Sequence, residues 1–204
     1  MALISEFIPI GAEVGVGLTL QHSNGHYIFL LAGTRHHCPE GEMFYAGIGG
    51  HVEPGENLLA CAHREAYEEI SVDVDIMSSS LTWHVSYRDD VVQIQVDDSV
   101  RPFAVYEMVH PEGSPRAGSI YHLVIYKACL KALPTDLKSD EVQGVLALTI
   151  DQVVHSLERK PTLGELLEEG AIMLADIGQV DKRVQLYPIG TDRALSRLFK
   201  RRNW

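Results

Sequence analysis

The stretch from Gly50 to Val72, GHVEPGENLLACAHREAYEEISV, constrains this chain more than any other. Pro54-Gly55 suits the two central positions of a type II turn, because proline presets φ and glycine accepts φ > 0. The residues from Glu56 to about Ile70 then read as a helix. Leu59, Ala62 and Ala66 recur at spacings of three and four, a narrow apolar stripe that faces a core. Glu65, Glu68 and Glu69 are also three and four apart, and at about 100° per residue they share a different face.

That acidic face opposes local physics. Like charges at i,i+3 and i,i+4 each cost about 0.2–0.5 kcal/mol, and Glu68 and Glu69 occupy the last turn, where the helix dipole prefers cations. The bland reading is a solvated, charged face, since glutamate-rich helices are common. The functional reading is that a cluster breaking local rules marks a site. Carboxylate oxygens on one face suit a hard cation, and Mg²⁺ is usually held by one or two carboxylates together with substrate phosphates. Arg64 can pair bidentately with a carboxylate and hold it in place.

The full string resembles the Nudix box: a glycine, five residues, Glu, seven residues, Arg-Glu, an aliphatic residue, any residue, Glu-Glu, any residue, Gly and an aliphatic residue. Gly50, Glu56, Arg64, Glu65, Ala66, Glu68, Glu69 and Val72 fall in register, and Ser71 stands where the family has Gly. The resemblance implies an α+β (mixed α/β) Nudix fold, a mixed β-sheet sandwiched between helices, with the box helix presenting its glutamates to a cleft. It implies metal-dependent hydrolysis of the pyrophosphate bond in a nucleoside diphosphate linked to another group, usually by water attack at phosphorus. Glu65, Glu68 and Glu69 would hold Mg²⁺ or Mn²⁺ with the Gly50 carbonyl, and Arg64 would orient a carboxylate through Glu56. Members place the general base differently; Glu141, in a polar loop, is the candidate outside the box. Such chemistry is physically reasonable, because bridging cations neutralise the phosphates, orient them and lower the pKa of a bound water.

Ser71 is the departure. Serine pays roughly 1 kcal/mol to take the left-handed conformation that glycine takes freely, so the helix exit is expected to differ from the family's. Two other functions use the same scaffold. A nucleotide-binding or regulatory module without catalysis generally lacks one or more box glutamates, and all are present here. A prenyl-diphosphate isomerase would want a catalytic cysteine. Cys61 lies on the box helix about 40° from Glu65, where a small buried thiol is the simpler account.

The 204 residues, 46% hydrophobic, fit one domain, with a basic amphipathic C-terminal helix at about 191–202. No run of eighteen apolar residues suggests a membrane span, and MALISEFIPIGAEVGVGLTL lacks the basic start of a signal peptide. Cys38, Cys61 and Cys129 are odd in number and widely spread, which fits reduced thiols in a cytoplasm. A net charge of −11 argues against nucleic acid as a partner. The partner expected is a small nucleoside diphosphate substrate, with a homodimer possible.

Strands are expected at 14–21 and 27–32, joined by a type I′ turn at Asn24-Gly25. His22 and His26 flank this turn as surface residues. Arg35-His36-His37-Cys38-Pro39 reads better as a pocket-lining loop than as a zinc site. Met43 to Gly50 reads as one strand entering the box. Further strands follow at 72–76, 82–87, 91–96, 103–109, 120–130 and 142–148. His110–Ser119 and Leu133–Glu141 are loops. Thr149 with Gln152, and Thr162 with Glu165, are capping boxes for two short helices, the second stopped by Gly170. The tail helix combines an apolar stripe (Leu195, Leu198, Phe199) with Arg193, Arg197, Lys200, Arg201 and Arg202, and is expected to dock on its own acidic domain or a second subunit rather than on lipid or RNA.

Overall fold

The computed structural model describes residues 2–110, 116–132, 134, 137–177 and 179–202. Residues 111–115, 133, 135 and 136 of the two expected loops, and the Arg202 side chain, lie outside the described residues. After a 3₁₀ turn at Ile4–Phe7 come β1 (Glu13–Gln21), β2 (Tyr27–Ala32), β3 (Glu42–Ala46), β4 (Gly49–His51), α1 (Leu58–Ile70) and β5 (Val74–Met77). Then follow β6 (Thr82–Val85), β7 (Val91–Ile94), β8 (Ala104–Val109), β9 (Ile120–Leu130) and β10 (Val142–Leu148). The chain ends in α2 (Ile150–His155), α3 (Leu163–Glu168), β11 (Ile172–Asp176), β12 (Gln185–Pro188) and α4 (Thr191–Arg202).

All strands join one mixed sheet, whose main path runs β11-β10-β2-β1-β9-β8-β6-β7. Off this path, β4 pairs with β1, β5 with β9, and β3 with both β2 and β12. β1 is the pivot. It runs parallel to β9 from Glu13↔Tyr121 to Leu20↔Ala128, and antiparallel to β4 at Gly15↔His51, Val16↔Gly50 and Gly17↔Gly49. Period-two alternation sorts its side chains. Val16, Leu18 and Leu20 enter a core with Cys61, Ala62, Ala66 and Ile70 of α1. The other face packs Leu123, Ile125, Leu146 and Leu148 against Leu195, Leu198 and Phe199 of α4, with Val153 of α2 and Leu166 of α3. The sheet is therefore sandwiched between helices, as the fold class required.

Several boundaries differ from the sequence reading, each for a local reason. α1 begins at Leu58, because Asn57 is extended and its side chain caps the amides of Leu59 and Ala60 at 3.1 and 2.9 Å. Glu56 therefore closes the turn instead: its amide donates to Glu53 O at 3.0 Å, and Gly55 takes φ +83°. The first hairpin is not type I′, since only Gly25 has positive φ. His22 N donates to His26 O at 2.8 Å across Ser23-Asn24-Gly25, the three-residue loop with a left-handed glycine. The expected strand at 43–50 is two strands, β3 and β4, separated at Gly47-Ile48. β5 starts at Val74, two residues late, because Ser71 keeps the left-handed exit (φ 54°, ψ 25°) and Val72 and Asp73 complete the turn. The helix exit thus matches a glycine's, at serine's expense. β11 and β12 add to the strands expected from sequence; both are short edge strands, and β12 ends on Pro188.

Both capping boxes form, at Thr149 with Gln152 and at Thr162 with Glu165. The tail helix docks on its own domain. Arg197 pairs with Asp89 and donates to the Tyr106 hydroxyl, and Lys200 pairs with Glu158. At its first turn Thr191 fills the space beside Gly17 and Gly47, where added Cβ atoms would meet its side chain at 2.4 and 2.8 Å. Asp192 is fully buried; Ser156 Oγ donates to it at 2.7 Å. Burial pushes its pKa up to about 7, against the hydrogen bonds from Ser156 and Tyr45. Among the described residues no helix is long and apolar enough to cross a membrane.

Candidate functional site

The site is assembled where the box loop crosses β1. Arg64, projecting from α1, is its hub. Nε and Nη2 donate to the Glu56 carboxylate at 2.9 and 3.0 Å, a bidentate pair. Nη1 donates to Glu65 at 2.7 Å and to Glu68 at 3.1 Å, and Nη2 also reaches the His51 carbonyl at 3.0 Å. Glu56 is fixed from the other side by the Glu53 amide at 3.1 Å. The Arg64 hydrogen bonds, then that amide, hold the Glu56 carboxyl down at about 2. One guanidinium thus fastens the turn to the helix and gathers carboxylates.

The two glutamates nearest β4 sit against backbone. Glu65 lies over Gly50, where a Cβ would stand 2.2 Å from its Oε1 and push the carboxylate aside. Glu69 accepts the Gly49 amide at 3.1 Å. Burial raises the Glu65 pKa, against the Arg64 bond, with the Glu68 and Glu56 charges adding to the rise. Burial likewise pushes Glu69 up to about 8; the Gly49 amide opposes it, while the charges of Glu65 and Glu141 add to it. The Gly50 carbonyl receives the Tyr121 hydroxyl at 3.3 Å. That hydroxyl occupies the notch over Gly15, 1.5 Å from where a Cβ would be.

Of the residues expected from sequence, Gly50, Glu56, Arg64, Glu65 and Glu69 come together here. Glu68 does not face the same point: its side chain is 54% exposed and turned to Arg64. Glu141 reaches the margin, ion-paired to Arg35, and both charges act on Glu69. Among the described residues no three His, Cys, Asp or Glu side chains form a ready metal cluster. The donor set nonetheless fits Mg²⁺, which needs only one or two carboxylates, its remaining ligands being waters and phosphates. Glu65, Glu69 and the Gly50 carbonyl are hard oxygen donors, and the two carboxylates crowd each other's charge.

Cys61 is fully buried, with Sγ 3.5 Å from the His51 carbonyl; burial, then the Glu56 and Glu65 charges, push its thiol up to about 12. A thiol held protonated this way is a poor nucleophile. His22 serves the hairpin, bonding Asn24 Oδ1 at 2.8 Å, and His26 ties the hairpin to Gly170 O at 3.0 Å.

Sequence reasoning missed the other half of the rim. Glu13, the first residue of β1, accepts from His51 at 2.6 Å and His110 at 3.1 Å and pairs with Arg116. Burial raises its carboxyl, but these three partners outweigh it and leave the pKa lowered. The His51 ring lies 4.8 Å from that of Tyr121. No local pattern marks Glu13 or Tyr121; the β1–β4 register sets Glu13 beside His51, and the β1–β9 register brings Tyr121 to Gly50.

The NUDIX domain family model matches residues 11–169. A 45-residue stretch is 47% identical to the NAD-capped RNA hydrolase NudC of Chromobacterium violaceum, covering 22% of this chain but only 16% of that protein's length. Among solved structures the chain is similar to a NUDIX hydrolase from Nitrosomonas europaea, at 16% identity and TM-score 0.49, over 77% of this chain and 84% of that one. It is also similar to the MutT NUDIX hydrolase from Burkholderia pseudomallei, at 16% identity and TM-score 0.46, over 69% and 84%.

Proposed function

The chain belongs to the NUDIX family, and from that membership we propose that it is a pyrophosphohydrolase, dependent on Mg²⁺ or Mn²⁺, that cleaves a nucleoside diphosphate linked to another group. The observation that carries the reading is the Arg64 lattice, which holds Glu65 against Gly50 while Glu69 is held at Gly49. Charges crowded at this local cost are what a cation site requires.

Glu65, Glu69 and the Gly50 carbonyl would hold the cation, with Glu68 turning in from its exposed pairing with Arg64. When bound, the metal neutralises the phosphates and lowers the pKa of a coordinated water. The chain's own residues do the rest. Arg64 keeps Glu65 from rotating away and, through Glu56, fixes the turn that sets the Gly50 carbonyl. Glu141, kept at the margin by Arg35, is the carboxylate proposed to take the proton of the attacking water. Three free cysteines fit a reducing, cytoplasmic setting. The buried Cys61 thiol favours hydrolysis over isomerisation.

A panel of nucleoside diphosphate derivatives, with NAD and NAD-capped RNA included because the NudC relative is named for the latter, tests the proposal. Each substrate is incubated with Mg²⁺, with Mn²⁺ and with excess chelator, and products are weighed by mass spectrometry. Cleavage between the two phosphorus atoms, abolished by chelator, is expected. Undiminished turnover in chelator, or no cleavage across the panel, overturns it.

A further inference from the structure

β3 leaves an aromatic side chain that neither core uses. Met43 and Tyr45 pack into the core under α4, so alternation sends Phe44 to the opposite face, the one that carries α1. Its register partner in β12 is Tyr187. Leu186, the residue before, enters the α4 core, so Tyr187 shares the face of Phe44. His36 completes the row. Its ring lies 5.1 Å from Phe44 at 73°, and Phe44 lies 6.2 Å from Tyr187 at 61°. All three are half-buried, and none belongs to either apolar cluster.

Aromatic rings are among the largest contributors to core burial. Three neighbouring rings left only half-buried at a sheet edge forgo part of that contribution, which marks a surface with a use. The position of this row narrows the use. One end begins at the box site, where Arg35, next to His36, pairs with Glu141 and acts on the charge of Glu69. At the other end Lys160 Nζ stands 5.5 Å over the Tyr187 ring and pairs with Glu42 at 2.8 Å. Rings interleaved with cations, leading away from a phosphate-handling centre, match a stacked base and its phosphates better than an apolar peptide.

We propose that His36, Phe44 and Tyr187 form the platform on which the nucleobase of the substrate stacks. Arg35 faces the phosphate side and Lys160 the outer edge. This rests on the hydrolase reading above and adds where the nucleoside lies. Stacking is tolerant of base identity, so the platform selects for the presence of a base rather than for one base.

The test compares, on the full chain, a nucleoside diphosphate substrate from the panel with a ribose pyrophosphate that lacks a base. Phe44→Ala and Tyr187→Ala are expected to raise KM for the nucleoside substrate about tenfold each. Their kcat should stay within about twofold, and the base-free substrate should be unaffected. The ring-keeping variant Tyr187→Phe should restore the parent KM, which a folding defect would not allow. Unchanged KM in both alanine variants, or an equal loss on the base-free substrate, overturns the platform. If the parent cleaves nothing, the hydrolase reading falls, and quenching of a Phe44→Trp variant by nucleoside monophosphate decides the platform alone. Saturable quenching supports it, and no quenching overturns it.

Discussion

Replacing Gly50 with alanine makes the smallest chemical change with the largest expected effect on the site. A Cβ there would stand 2.2 Å from Glu65 Oε1, 2.4 Å from Cδ and 2.6 Å from Oε2. Ordinary contacts lie at about 3.5–4.0 Å, so the carboxylate must retreat by more than about 1 Å. It cannot do so freely, because Arg64 holds it at 2.7 Å. Overpacking and the weakened bond together should cost about 1–3 kcal/mol of stability. Moving a cation-holding group by that distance should lower kcat by about 100-fold. Gly25→Ala is the control: it forces alanine to φ +89° with no atom within 4 Å, at a hairpin away from the box. It should cost about 1–2 kcal/mol and leave turnover per folded molecule unchanged. Urea unfolding gives the stabilities, and initial rates at saturating Mg²⁺ give the activities. A folded Gly50→Ala protein with the parent kcat would refute the reasoning. So would equal activity losses in the two variants.

Glu69→Gln keeps shape and fixes the neutral form that burial already favours near neutral pH. Metal-free stability should hold or rise by roughly a few tenths of a kcal/mol, while turnover falls steeply and the Mg²⁺-induced gain in Tm shrinks; parent-like turnover would remove Glu69 from the metal site. Asp192 gives a pH signature. Its folded pKa of about 7 exceeds the unfolded 3.8, so the native state holds the extra proton and stability falls as pH rises from about 4 to 7. In urea titrations Asp192→Asn should remove about 2–3 kcal/mol of the loss between pH 5 and pH 8, and parallel curves for parent and variant would show that burial does not hold the proton.

What could be read from the sequence was whatever depends on near neighbours. The turn at Pro54-Gly55, the helix with Arg64 and its glutamates, and the capping boxes at Thr149 and Thr162 involve residues a few positions apart, where geometry follows from spacing. Errors arose where two local solutions compete. Asn57 caps α1 better than Glu56 begins it, and Gly25 closes a three-residue loop although Asn24-Gly25 suggests a two-residue turn. What could not be read depends on register. Tyr121 reaches the Gly50 carbonyl only because β9 lies beside β1, and Glu13 meets His110 for the same reason. Phe44 reads as one more core aromatic until the packing of Met43 and Tyr45 shows that it faces outward.

The parallel pairing of β1 with β9 also sets an order on synthesis. Glu13 finds its partner, Tyr121, more than a hundred residues later. At about 5–20 residues per second, the ribosome needs roughly 5–20 s to supply it. Until then the nascent chain can form the β1–β2 hairpin and α1, but Val16, Leu18 and Leu20 have an incomplete sheet to lie in. Parallel pairing over such a loop forms slowly even once both strands exist. A half-made chain therefore exposes an apolar strand edge for seconds, a surface open to chaperones and to other nascent chains. Slowing translation after β1 should lengthen that exposure and lower the soluble yield.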